Sequence, residues 1–170
     1  MNHAFLSLYI SFSDGENKKN DWKGMDYNMD ETTKLFQFIY ENATMGKDTI
    51  KHLLTVTEEK KMEDLLTDQL SAYGEISDQA RRELEKRNAK AEKVGPLTKM
   101  SSDIMIDFNL IKDRSSSHLA EMMTQGSTMG IVEITKQLRQ YPHADTQAHK
   151  LGNRLLKMEE TKIEDLKAYL

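Results

Sequence analysis

Apolar residues in this chain recur in steps of three and four, and that spacing constrains the fold more than any other feature of the sequence. From about 32 to 57 the positions are Phe36, Ile39, Ala43, Gly46, Ile50 and Leu53. From about 57 to 88 they are Met62, Leu66, Gln69, Tyr73, Ile76, Ala80 and Leu84. After a turn at 141–145 they are Gly152, Leu156, Glu159, Ile163, Leu166 and Leu170. An α-helix brings residues three and four apart onto one face, so each segment presents a single stripe for burial. No segment carries the alternation of a half-buried strand. The two prolines, Pro96 and Pro142, both fall between periodic segments.

The stretch 97–140 also has a helical period, but as one helix it would span about 66 Å, too long for its partners. Serines favour caps over helix interiors, so the break is expected at Lys-Asp-Arg-Ser-Ser-Ser, 112–117. Gly126 and Gly130 are the second candidate. The expected order is therefore a loop at 88–96, an accessory helix at about 97–112 and a third main helix at about 117–140. Asp145 or Ala144 stands near the N-cap of the fourth helix. Glycine costs roughly 1 kcal/mol in a helix interior relative to alanine. Gly46, Gly126, Gly130 and Gly152 on apolar faces are therefore expected to mark close helix approach. The result is an all-α, antiparallel four-helix bundle over 31–170, with an accessory helix between the second and third helices.

Residues 1–30 are expected to form an arm outside the bundle. "MNHAFLSLYI" is apolar but has no Lys or Arg and no convincing cleavage site, and "SDGENKKNDWKG" is polar. Met25 or Met29 is expected as the biological start.

The chain has no cysteine, which rules out disulfides, zinc thiolate sites and thiol nucleophiles. A cysteine-free chain suits a reducing compartment, so a cytoplasmic location is expected. The formal net charge of -4 does not favour nucleic acid as a partner. No apolar run approaches the roughly eighteen residues of a membrane span, so no membrane partner is expected.

Candidate chemistry turns on Glu159. A carboxylate-bridged diiron bundle needs an inward carboxylate on each of two helices and Glu-x-x-His on the other two. Glu159 lies on its helix's seam, but Lys162 takes the place of the histidine. Glu41 on the first helix is turned away from the seam. The central inward position of the second helix is Gln69, followed three residues later by Ala72. His118 and Glu121 form an inverted half-motif. Glu159 should lie level with about Ser127, leaving His118 about 14 Å away along the axis. Glu159, Glu121, Glu133 and His118 are thus the weak metal candidates, with iron or another divalent metal as the possible ion. The expectation is no bound cofactor. Glu159 is instead a buried glutamate satisfied by Lys162, by Gln69 or by a side chain of the third helix, because buried charges need partners. His3, His52, His143 and His149 are scattered. Ser115, Ser116 and Ser117 beside His118 lack a third orienting group for nucleophilic chemistry. No glycine-rich phosphate loop is present.

Met100, Met105, Met122, Met123 and Met129 crowd into one region. Methionine fills irregular cores and also makes adaptable binding surfaces. Segment 117–134 has apolar or small residues on almost every side, so either the accessory helix or a second subunit is expected to cover it.

The runs "SHLAEMMTQGSTMGIVEITKQL" and "LGNRLLKMEETKIEDLKAYL", with "LFQFIYENATMGKDTIKHLL" before them, resemble small uncharacterised proteins of Firmicutes with a ferritin-like helical bundle. The resemblance covers roughly Glu31 to Leu170. It implies a ferritin-like bundle and, by extension from ferritins, iron ligands. The chain departs from that ligand pattern on three helices of four. The functional expectation is therefore a non-catalytic bundle protein acting by protein interaction or self-association, a homo-oligomer through the methionine-rich third helix. The alternative is a ferritin-like carboxylate metal-binding protein or oxidoreductase with a degenerate site.

Overall fold

The structure, a computed structural model, describes residues 29–91 and 113–170. The expected accessory helix and nearly all of the N-terminal arm lie outside the described residues. Among the described residues there are four α-helices and no strand: α1 Glu31–Val56, α2 Lys60–Lys86, α3 Ser116–Gln140 and α4 Thr146–Leu166. A short 3-10 turn, Lys167–Tyr169, follows α4.

Local chemistry sets the helix ends. Asp30 caps α1, its carboxylate accepting from the Thr33 backbone N–H at 3.0 Å. Thr57 ends α1 in extended backbone, and its hydroxyl donates to the Leu53 carbonyl at 2.7 Å. Glu59 precedes α2 with no side-chain cap. At the far end of α2, Asn88 adopts φ 55. The Ala89 N–H reaches the Leu84 carbonyl and the Asn88 N–H reaches Glu85, a Schellman closure for which asparagine tolerates the left-handed backbone. Ser115 caps α3 by accepting from the His118 N–H, so the serine run is indeed where a helix begins. Gly126 and Gly130 leave α3 unbroken. Asp145, not Ala144, caps α4, because its carboxylate can accept the Ala148 N–H, at 2.7 Å.

The four helices share one core. Phe36, Ile39, Ala43, Ile50 and Leu53 of α1 meet Met62, Leu66, Tyr73, Ile76 and Leu84 of α2, Leu119, Met123 and Ile134 of α3, and Leu151, Leu155 and Leu166 of α4. The buried stripe of α4 differs from the expected seam. Leu155 and Lys162 are buried, Leu156 and Ile163 only half-buried, and Leu170 is exposed. The Leu155-Leu156 doublet allows two adjacent stripes, and packing selects the other one.

Two glycines do mark close approach. A methyl on Gly46 would overlap the Tyr73 ring, and one on Gly152 would lie 2.8 Å from Leu138 Cδ2, with Ile39 and Ile134 at 3.6 Å. Gly126 is a correction: it is exposed, and a methyl there would meet nothing within 4 Å.

Polar contacts tie the helix ends together. Arg87 bonds Asp145 at 2.5 Å and stacks over Phe36 at 4.8 Å. Asp145 N–H donates to the Thr32 hydroxyl, and His143 N–H donates to Glu31. At the other end the Ser116 hydroxyl donates to Glu59. Arg154 pairs with Glu75 midway along. No helix among the described residues is long and apolar enough to cross a membrane.

Candidate functional site

The polar centre of the bundle is built from α2 and α4. Tyr73 is a seam residue of α2, 2% exposed, and the missing side chain of Gly46 makes room for its ring. Its phenol donates to Glu159 Oε1. Lys162 Nζ donates to the phenol oxygen at 2.8 Å and approaches Glu159 Oε2 at 3.5 Å. Glu159 and Lys162 sit one turn apart on α4, with side chains 4% and 8% exposed. A tyrosine buried this way needs a polar partner, and so do both charges. The three groups supply one another. Burial first, and then the Glu159 carboxylate, push the Tyr73 phenol well above its ordinary range. It remains a neutral donor at physiological pH.

The third wall is α3. A methyl on Gly130 would stand 3.6 Å from the Glu159 carboxyl group. Ser127, one turn earlier on the same helix, is 1% exposed. On α2, Gln69 stands one turn before Tyr73 and is 7% exposed. Neither amide atom of Gln69 has a hydrogen-bond partner, nor does the Ser127 hydroxyl.

The expected site residues separate. Glu159 is central, with Lys162 as its partner, while Gln69 makes no hydrogen bond to it. His118 and Glu121 approach each other at 3.8 Å, with Glu121 59% exposed. Glu133 pairs with Lys136 at 2.8 Å. Glu159 has its own hydrogen bonds and ion pair, to Tyr73 and Lys162. Among the described residues, no group of three or more His, Cys, Asp or Glu stands together as a metal site.

Glu41 is a correction. It lies off the α1 seam, as its spacing requires, yet it is 7% exposed. Its carboxylate accepts from Gln37 Nε2 at 2.7 Å. Desolvation raises its pKa from 4.5 to about 7, and the Gln37 bond opposes the rise only in part. The sequence shows that Glu41 leaves the seam but carries no sign that the opposite face is also buried.

Tyr73 is the residue that spacing alone missed as a partner. A signal existed, since a seam tyrosine needs an acceptor and a seam glutamate needs a donor.

Comparison of the chain with family models, with curated proteins and with solved structures gives no match.

Proposed function

We propose that this protein is a non-catalytic helical bundle that acts by association, with a second copy of itself as the partner. The observation that carries this reading is the closed Tyr73–Glu159–Lys162 cluster. A divalent cation needs several lone-pair donors around it. Here one carboxylate faces an ammonium that brings positive charge and no lone pair. The residues present do not fit a diiron centre: Lys162 stands at the histidine position, and Gln69 and Ala72 stand on α2. Elemental analysis of untagged protein expressed in iron-supplemented medium tests this. The expected result is no stoichiometric metal. Two irons per chain would revive the oxidoreductase alternative.

The association face is on α3. Met122, Gln125, Met129, Val132 and Lys136 follow one another in steps of three and four, an outer stripe away from the core. Val132 is 45% exposed, and Met122 and Met129 are half-buried. Sedimentation velocity over a concentration series is the check. The full chain should form a dimer or larger species, and Met129→Glu should shift it toward monomer with its helical circular dichroism intact. A wild-type chain that stays monomeric at high concentration contradicts the reading.

The same proposal includes a ferritin-like topology, antiparallel within the helix pairs. Several contacts support it. Phe36 meets Arg87 and Gly46 meets Tyr73, so α1 and α2 run oppositely. Gly152 meets Leu138 and Gly130 meets Glu159, which opposes α3 to α4. Thr32 meets Asp145 and Ile39 meets Gly152, which sets α1 along α4. Ser116 meets Glu59, which brings the starts of α2 and α3 to one end. The end of α2 and the start of α3 then lie at opposite ends of the bundle, the arrangement of ferritin-like bundles.

A further inference from the structure

The outer face of α3 differs from those of α2 and α4. On α2 it is laced with ion pairs, Lys60 with Asp64 and Arg81 with Glu85. On α4, Lys157 pairs with Glu160. Between Glu121 and Glu133, by contrast, α3 has no charged side chain. Met122, Gln125, Met129 and Val132 stand there in steps of three and four, the spacing of a helix-pairing seam. Val132 and Leu170 are the exposed large hydrophobic side chains among the described residues.

The charges that bound this face show how a second copy fits it. Glu121, at the N-terminal end, has a side chain 59% exposed. Lys136, at the C-terminal end, has one 60% exposed, and Arg139 one turn further on is also exposed. The two ends of the seam therefore carry opposite signs. A parallel pair of such helices keeps acid with acid and base with base. An antiparallel pair sets each acidic end beside a basic one, at both ends at once. Thr128 and Met129 stand midway between Glu121 and Lys136, and of the two Met129 is on the seam. A twofold axis brings the same patch of both copies together, and these charges put that axis at Met129. Lys136 also bonds Glu133 of its own helix at 2.8 Å, and a lysine ammonium has three N–H groups to share.

We propose that α3 pairs with α3 of a second copy in antiparallel fashion, about a twofold axis at Met129. Met122, Met129 and Val132 form the apolar centre of the contact. Glu121 of each copy lies against the partner's Lys136 and the partner's Arg139. This rests on the association reading above and adds to it the direction and register of the pairing.

The absence of cysteine from the chain makes single-cysteine variants of the full chain a clean test. Packed helices lie about 8–10 Å apart, which brings residues facing each other across the axis within disulfide reach. Under mild oxidation Met129→Cys should cross-link to a covalent dimer. Val132→Cys should cross-link poorly, because its two copies are offset by about 9 Å along the helices, beyond the roughly 7 Å limit between Cα atoms. The charges give a second readout. Glu121→Lys should raise the dimer Kd about tenfold at low salt, since the contact occurs twice per dimer. Glu160→Lys, the same change on the outer face of α4, should leave Kd unchanged. A wild-type chain that stays monomeric overturns the association reading and this pairing with it. A wild-type dimer in which Val132→Cys cross-links as well as Met129→Cys, or in which Glu121→Lys and Glu160→Lys act alike, overturns the antiparallel register alone.

Discussion

Two of the buried glutamates in this bundle have surroundings that could hardly differ more. Glu159 on α4 is 3% exposed and Glu41 on α1 is 7% exposed. Glu159 has a phenol on one oxygen and an ammonium near the other. Glu41 has the neutral amide of Gln37. Burial penalises a carboxylate charge in both places, but only Glu159 has a cation to offset it. Burial by itself therefore decides little about a carboxylate. The partner decides whether the charge is kept, and with it what removing the side chain would do.

The largest expected effect follows from breaking the partnered site. Glu159→Ala leaves the Lys162 ammonium buried without its counter-charge and the Tyr73 hydroxyl without an acceptor. Removing one member of a buried pair costs about 3–5 kcal/mol. Urea unfolding monitored by circular dichroism should show a loss of that size. A loss under about 1 kcal/mol, the scale of an exposed pair, would mean that the pair is solvated.

Glu41 should behave in the opposite sense, and only at high pH. Its folded pKa, about 7, lies above the ordinary 4.5, so the folded chain holds a proton that the unfolded chain releases. Stability therefore falls as pH rises from about 4.5 to about 7, and is flat above that. Glu41→Gln removes this slope. It should stabilise at pH 8 by up to about 3 kcal/mol, an upper bound from the size of the shift, with little effect near pH 4. A variant that is destabilised equally at both pH values would show that Glu41 is held as a charge.

Much of this contrast is readable from the residues, but not all of it. Spacing places Glu159 inward beside Lys162, and it places the α4 cap at Asp145 or Ala144 and the α3 start in the serine run. Each rests on local chemistry: a period, a cap, a turn between helices. The stripe chosen from Leu155-Leu156 is not local, since both faces have acceptable spacing and only the packed partner selects one. The burial of Glu41 is also set by what lies across from it. Tyr73 lies between these cases. Its inward position follows from the period, while its bond to Glu159 depends on the register of α2 against α4.

The central claim is that Tyr73, Glu159 and Lys162 satisfy one another and need no further ligand. The most direct test replaces all three by apolar residues of similar size: Tyr73→Phe, Glu159→Leu and Lys162→Met together. Exchanging a complete buried ionic cluster for apolar packing is often neutral or stabilising, by about 1–4 kcal/mol. Urea unfolding should therefore find the triple variant at least as stable as the wild type, although Glu159→Ala alone is strongly destabilised. A triple variant that loses several kcal/mol would contradict the claim, because the cluster would then have an obligatory partner beyond its own three side chains.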